Sequence, residues 1–113
     1  MDKKEALKIV QERGHNLENL PAHFKKDKEI VLMAVKSNGY ALEHADESLK
    51  KDKKIVLMAV KSNGAALWYA DKSFRKDKKI ALEAVKNNAD AFEWIDESLE
   101  KDADILKVVN RIG

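Results

Sequence analysis

The apolar and polar positions of this chain repeat at one fixed period. Asp2, Asp27, Asp52, Asp77 and Asp102 stand one period apart, and the residues between them keep the register. Residues 27–51 read DKEIVLMAVKSNGYALEHADESLKK and residues 52–76 read DKKIVLMAVKSNGAALWYADKSFRK, identical at 18 of 25 positions. Residues 77–101 hold the frame, residues 2–26 hold it more loosely, and residues 102–113 begin a fifth copy. Self-similarity at such a period marks stacked supersecondary units, each too small to bury its own apolar face.

Each unit reads as two helices. Asp27 suits an N-cap, because its carboxylate can accept from the free amides of the first turn. The first helix then runs over about Lys28 to Asn38. Gly39 follows as the terminating residue free to take positive φ, with Gly14 and Gly64 in the same slot and Ala89 in the fourth copy. A short second helix covers about Tyr40 to Ala45, and Asp46 caps a further turn from Glu47 to Lys50. Asp71 and Asp96 repeat that cap, while Pro21 takes its place in the first unit and suits a helix start. No segment alternates with period two, so no strand is expected.

On a helical wheel Ile30, Ala34, Val31, Val35 and Leu32 follow one another round more than half of the circumference. Lys36 and Glu29 fill a narrow polar gap, and Met33 stands beyond it. A helix apolar over so wide an arc must be covered on several sides. Stacked neighbours supply that cover. Met33 and Met58 are expected in buried contacts between units. Their slot holds Lys8 and Glu83 in the outer units, and the Ile30 slot holds Glu5 at the N-terminal end, as polar end faces require. The expected fold is all-α: an α-solenoid-like stack of about four and a half two-helix units. It forms one domain over residues 1–113, with units 2–26, 27–51, 52–76 and 77–101 and a capping helix at 102–113.

The repeated D-K-x-I-V-L-x-A-V-K-x-N-G followed by A-L-x-x-A-D-x-S-L resembles the short helical repeats grouped as a domain of unknown function, number 4116. Asp27–Gly39 with Ala41–Leu49, and Asp52–Gly64 with Ala66–Phe74, carry the pattern, and weaker copies flank them. The resemblance implies a tandem helical module. It implies no catalytic residue and no established ligand. Ala89 in the glycine slot and Pro21 in the second cap slot depart from it.

Composition narrows the function. The 113 residues are 44% hydrophobic and 37% charged, with 22 basic against 20 acidic side chains, so the net charge of +2 does not by itself call for nucleic acid. The absence of cysteine removes disulfide and thiolate chemistry. The longest apolar run, Ile30 to Val35, falls far short of the roughly 20 residues of a membrane span. No apolar signal segment follows Met1-Asp2-Lys3-Lys4-Glu5, and an intracellular, cytoplasmic location is expected.

Phosphate-loop, dinucleotide and zinc-protease signatures are absent. His15, His23 and His44 occupy three different repeat slots with no helical ligand spacing, so neither a metal site nor a cofactor is expected. Ser48, Ser73 and Ser98 sit beside cap aspartates and read as local hydrogen-bonding groups rather than nucleophiles. No enzyme is expected.

Two features carry binding hypotheses. The first is the set of slots where the copies disagree, which gathers Tyr40, His44, Trp68, Tyr69 and Trp94 on the second helix and its exit. The slots of Tyr40 and His44 lie four residues apart and share an α-helical face, as do those of Glu43 and Glu47. Aromatics at a charged rim are typical of interface centres, although Trp68 and Trp94 also read as core fillers. The second is a basic ridge at the junctions: Lys25, Lys26, Lys28, Lys50, Lys51, Lys53, Lys54, Arg75, Lys76, Lys78 and Lys79. Lysine at a helix N-terminus opposes the macrodipole, so local helix stability does not explain it. The ridge reads either as a solubilising edge or as a contact for phosphate. The leading expectation is a non-catalytic scaffold that binds another protein. The alternative is a module that binds nucleic acid or another polyanion through the ridge.

Overall fold

The computed structural model describes residues 1–112, and all regular structure in them is helical. The long helices are α1 (Lys3–Glu12), α3 (Lys28–Ser37), α4 (Lys53–Ser62), α5 (Lys78–Asn87) and α6 (Ala103–Ile112); α2 is the single turn Ala22–Lys25. The long helices lie side by side in one row, and ion pairs from helix start to helix start with hydrogen bonds near their ends set them pointing the same way. A second row is formed by six-residue segments at Gly14–Asn19, Gly39–His44, Gly64–Tyr69 and Ala89–Trp94, each seated between its own α-helix and the next. These segments are 3₁₀ helices, where the sequence pattern suggests a second α-helix. Short turns around Leu49–Lys51, Lys72–Lys76 and Glu97–Leu99 lead into the next unit. The stack measures 48 × 23 × 16 Å. No helix among the described residues is long and apolar enough to cross a membrane.

One continuous core runs the length of the stack. Ile30, Ile55, Ile80 and Ile105 repeat a single slot and are fully buried, as are Leu17, Leu42 and Leu67 beneath the 3₁₀ row. Burying a side chain of this size contributes roughly 1.5–3 kcal/mol, so a slot repeated along the stack is a large share of its stability. Glu5, in the Ile30 slot of the first unit, is exposed. Met33 and Met58 are only partly covered, although neighbours flank both their units. Their slot therefore lies at the rim rather than between units, and Lys8 and Glu83 there do not mark the ends.

The aspartate caps are present. Asp27 accepts from the amides of Glu29 and Ile30 at 3.0 and 3.2 Å, and Asp52 from those of Lys54 and Ile55 at the same distances. Asp2, Asp77 and Asp102 cap α1, α5 and α6 likewise. Helix α3 ends at Ser37, one residue before the expected Asn38. Asn38, Asn63 and Asn88 are extended, and their side chains cap the 3₁₀ helix that follows.

Three sets of contacts fix each unit on the next. First, Lys3, Lys28, Lys53 and Lys78 at the helix starts reach the cap aspartate one unit on, at 3.1 Å to Asp27, 3.0 Å to Asp52, 2.8 Å to Asp77 and 3.2 Å to Asp102. This pairing explains lysines that the macrodipole alone disfavours. Second, the amides of Asp46, Asp71 and Asp96 donate to the carbonyls of Lys25, Lys50 and Arg75 at 2.9–3.0 Å.

The third set explains the glycines and corrects their expected role. No described glycine has positive φ. The amides of Gly14, Gly39 and Gly64 donate to Ser37, Ser62 and Asn87 of the next unit, at 3.0, 3.0 and 2.6 Å. A Cβ on these glycines would stand 2.1, 2.3 and 2.2 Å from the carbonyl oxygens of Ala34, Ala59 and Ala84. Glycine is required because two backbones touch there. Ala89 is half-buried at the same slot, where Gly14, Gly39 and Gly64 are buried.

Candidate functional site

The varied surface is set by 3₁₀ geometry. With three residues per turn, side chains at i and i+3 eclipse. The second and fifth residues of each 3₁₀ helix therefore stand together, and the sixth residue of the next unit's helix comes alongside them. The same three positions recur at three junctions. The first holds His15, Glu18 and His44; the second Tyr40, Glu43 and Tyr69; the third Ala65, Trp68 and Trp94. The α-helical pairing of Tyr40 with His44 is thus replaced by a pairing across units. Glu43 and Glu47 share no helix, because the 3₁₀ segment ends at His44.

At the first junction His15 Nε2 lies 3.1 Å from Glu18 Oε2, and the His15 and His44 rings meet edge-on at 5.1 Å. At the second, the Tyr40 and Tyr69 rings form a T at 6.2 Å. Burial, joined by the Glu43 carboxylate beside the hydroxyl, pushes the Tyr69 phenol above its ordinary value. At the third, the Trp68 and Trp94 rings are 6.1 Å apart and tilted by 56°. Because Ala65 is small, these residues leave an open groove of about 310 Å³ lined by Tyr40, Ala65, Trp68, Tyr69 and Trp94.

Exposure separates the aromatics. Trp68 is 55% exposed and Tyr40 40% exposed. Tyr69 and Trp94 are half-buried against the core. The Arg75 guanidinium lies over the Trp68 ring, 5.2 Å from its centroid. Such a cation over an indole face is attracted to it by about 0.5–1 kcal/mol at an exposed site. Arg75, expected from sequence in the basic ridge, is engaged by this ring. Beside the groove, a recess of mixed charge is lined by Lys72, Arg75, Lys76, Glu93, Trp94 and Glu100 among others.

The basic ridge is interleaved with carboxylates. Lys28, Lys53 and Lys78 bind the cap aspartates, and Lys50 pairs with Glu47 at 3.1 Å. Lys25 is half-buried, and its carbonyl accepts from the next unit. Lys26, Lys51 and Lys76 face Asp46, Asp71 and Asp96. Those three carboxyls are held below their ordinary values by the neighbouring serine hydroxyl and amide first, then by these lysines. Lys54 and Lys79 are exposed. Ser48 Oγ and Ser73 Oγ donate to Asp46 and Asp71 at 2.6 and 2.5 Å, a local turn.

Ala65 as the groove floor and Arg75 as the partner of Trp68 are not visible in the sequence, nor is the meeting of His15, Glu18 and His44. The signal that could have found them is one common offset along the chain, which joins His15 to His44, Tyr40 to Tyr69 and Ala65 to Trp94. It becomes readable only once the register between units is known.

The profile of the family described as Domain of unknown function (DUF4116) matches residues 2–50 and again residues 52–101. Each match spans two of the repeat units. No curated protein and no solved structure matches the chain.

Proposed function

Since the chain belongs to the DUF4116 family, whose description assigns no activity, we propose from its own surface that it is a non-catalytic protein-binding module. The aromatic groove at the third junction is the contact. The observation that carries this reading is Trp68. It replaces glutamate in its slot, stays 55% exposed, and is braced by Arg75 beside an apolar groove. An indole offers a large contact area with only two side-chain torsions to order when a partner covers it, and tryptophan recurs at interface centres. The partner is a protein segment that inserts an apolar side chain between Tyr40, Trp68, Tyr69 and Trp94. His44, at the first junction, lies two junctions along the same stripe and outside this groove. Cytoplasmic location fits this reading and belongs to the same proposal.

The test is comparative capture from native lysate with Trp68→Ala. The variant is expected to keep its unfolding free energy within about 1 kcal/mol, since a largely exposed side chain leaves no cavity. It is expected to lose proteins that the wild type retains, because a central tryptophan contributes about 2 kcal/mol or more. Identical retained sets would refute the groove as the contact. Retention of nucleic acid, lost steeply with added salt and unchanged by Trp68→Ala, would favour the lysine edge instead. A stability loss of about 3–5 kcal/mol would place Trp68 in the core.

A further inference from the structure

We propose that His15, Glu18 and His44 form a binding site for one divalent transition-metal ion of the zinc class, clasping the first unit to the second. His15 and Glu18 are i and i+3 on a 3₁₀ helix, where side chains eclipse and point the same way. His44 arrives from the next unit. His15 Nε2 is 3.1 Å from Glu18 Oε2, and His44 Nε2 is 3.9 Å from the same oxygen. All three donor atoms lie within 4.8 Å of one another. Zinc bonds of about 2.0–2.1 Å in a tetrahedron put neighbouring donors about 3.3 Å apart. The three donors thus need only small side-chain movements to share an ion, and His15 and Glu18 are exposed enough to make them.

His44 supplies a second, independent observation. Its side chain is 15% exposed, and its Nε2 is buried with no hydrogen-bond partner. A buried imidazole nitrogen left unpaired is costly, and a metal ion is a partner that the lone pair fits. Two imidazoles and one carboxylate suit zinc and its first-row neighbours. Calcium and magnesium prefer all-oxygen sites. The other two described junctions place Tyr40, Glu43 and Tyr69, and Ala65, Trp68 and Trp94, in the same positions, so the His₂Glu set belongs to the first alone. His23 is not part of it, since its ring packs on Phe24 at 4.1 Å. The outer side of the triad faces solvent, where water completes the coordination. An ion bound across two units favours the folded stack over the unfolded chain.

The test is calorimetric titration of the whole metal-free chain with Zn²⁺, paired with visible spectra of the Co²⁺ form. The wild type is expected to bind one ion, with the intense Co²⁺ bands of a low-coordinate site. His15→Ala and His44→Ala are each expected to weaken binding at least about 100-fold, beyond the 10–100-fold typical of losing only an outer-shell partner. His23→Ala is expected to bind as the wild type does. If His44→Ala fails to fold, His15→Ala and Glu18→Gln, both at exposed positions, carry the test. The proposal is overturned if the wild type shows no binding up to about 1 mM Zn²⁺. It is equally overturned if His15→Ala or Glu18→Gln binds as tightly as the wild type, which would place the ion elsewhere.

Discussion

At the scale of single residues, the glycines show how one residue type serves two different needs. A glycine after a helix that ends in Asn suggests a left-handed terminator. In this chain Gly39 has no positive φ and is instead pressed against the Ala59 carbonyl of the next unit. The distinction has a measurable sign. At a glycine with ordinary φ and free space, alanine stabilises by about 0.4–1 kcal/mol through the unfolded chain. With a backbone oxygen 2.3 Å from the new Cβ, overpacking costs about 1–3 kcal/mol or more and wins. Gly39→Ala is therefore expected to lower the urea midpoint, while Ala89→Gly, in the looser fourth copy, costs only the propensity difference. A raised midpoint in Gly39→Ala would show that the units do not touch there. Nothing in the sequence separates the two uses of glycine, because the obstacle belongs to the following repeat.

At the scale of elements, the caps are legible in the sequence and the 3₁₀ helices are not. Asp27, Asp52 and Asp77 announce helix starts by type and position, because the bond they make is local. The segments Gly39–His44 and Gly64–Tyr69 are six residues long. Over that length the 3₁₀ and α periods cannot be told apart, so the sequence suggests pairs at i+4 where the structure makes them at i+3. Asp52→Ala is expected to cost about 0.5–2 kcal/mol by urea denaturation, whereas Asp52→Asn keeps most of the cap. The caps also set the acid response. Burial raises the Asp52 carboxyl, but the Lys28 ammonium and the Ile55 and Lys54 amides together outweigh it and hold it below its ordinary value. Asp27 and Asp77 behave alike through Lys3 and Lys53. A depressed folded-state pKa gives stability that is full above about pH 5, beyond the unfolded carboxylate's titration, and lost as pH falls through the folded value. The urea midpoint is thus expected to drop as pH falls below about 5, and less so in Asp52→Asn. An equal slope in the variant would separate Asp52 from the acid transition.

At the scale of the whole molecule, the period foretells a stack but not its register. The register decides which side chains meet. It brings His44 to His15, Tyr69 to Tyr40 and Trp94 to Trp68, each from one unit to the next. It also turns Lys28, Lys53 and Lys78 from an unexplained ridge into links between units. The aromatic groove and the histidine triad both depend on it, since the groove draws side chains from three units and the triad from two. A local reading of either half shows neither.

The most direct measurement of that register is a nuclear Overhauser contact between the Gly39 α-protons and the Asn63 amide proton. A Cβ on Gly39 would stand 3.0 Å from the Asn63 nitrogen, and one on Gly14 would stand 3.0 Å from that of Asn38. In the arrangement described, both pairs give strong cross-peaks, and they do so at the same relative position in successive units. Absence of both, with the helices otherwise intact, would contradict the register, and with it the groove at Trp68 and the triad at His44.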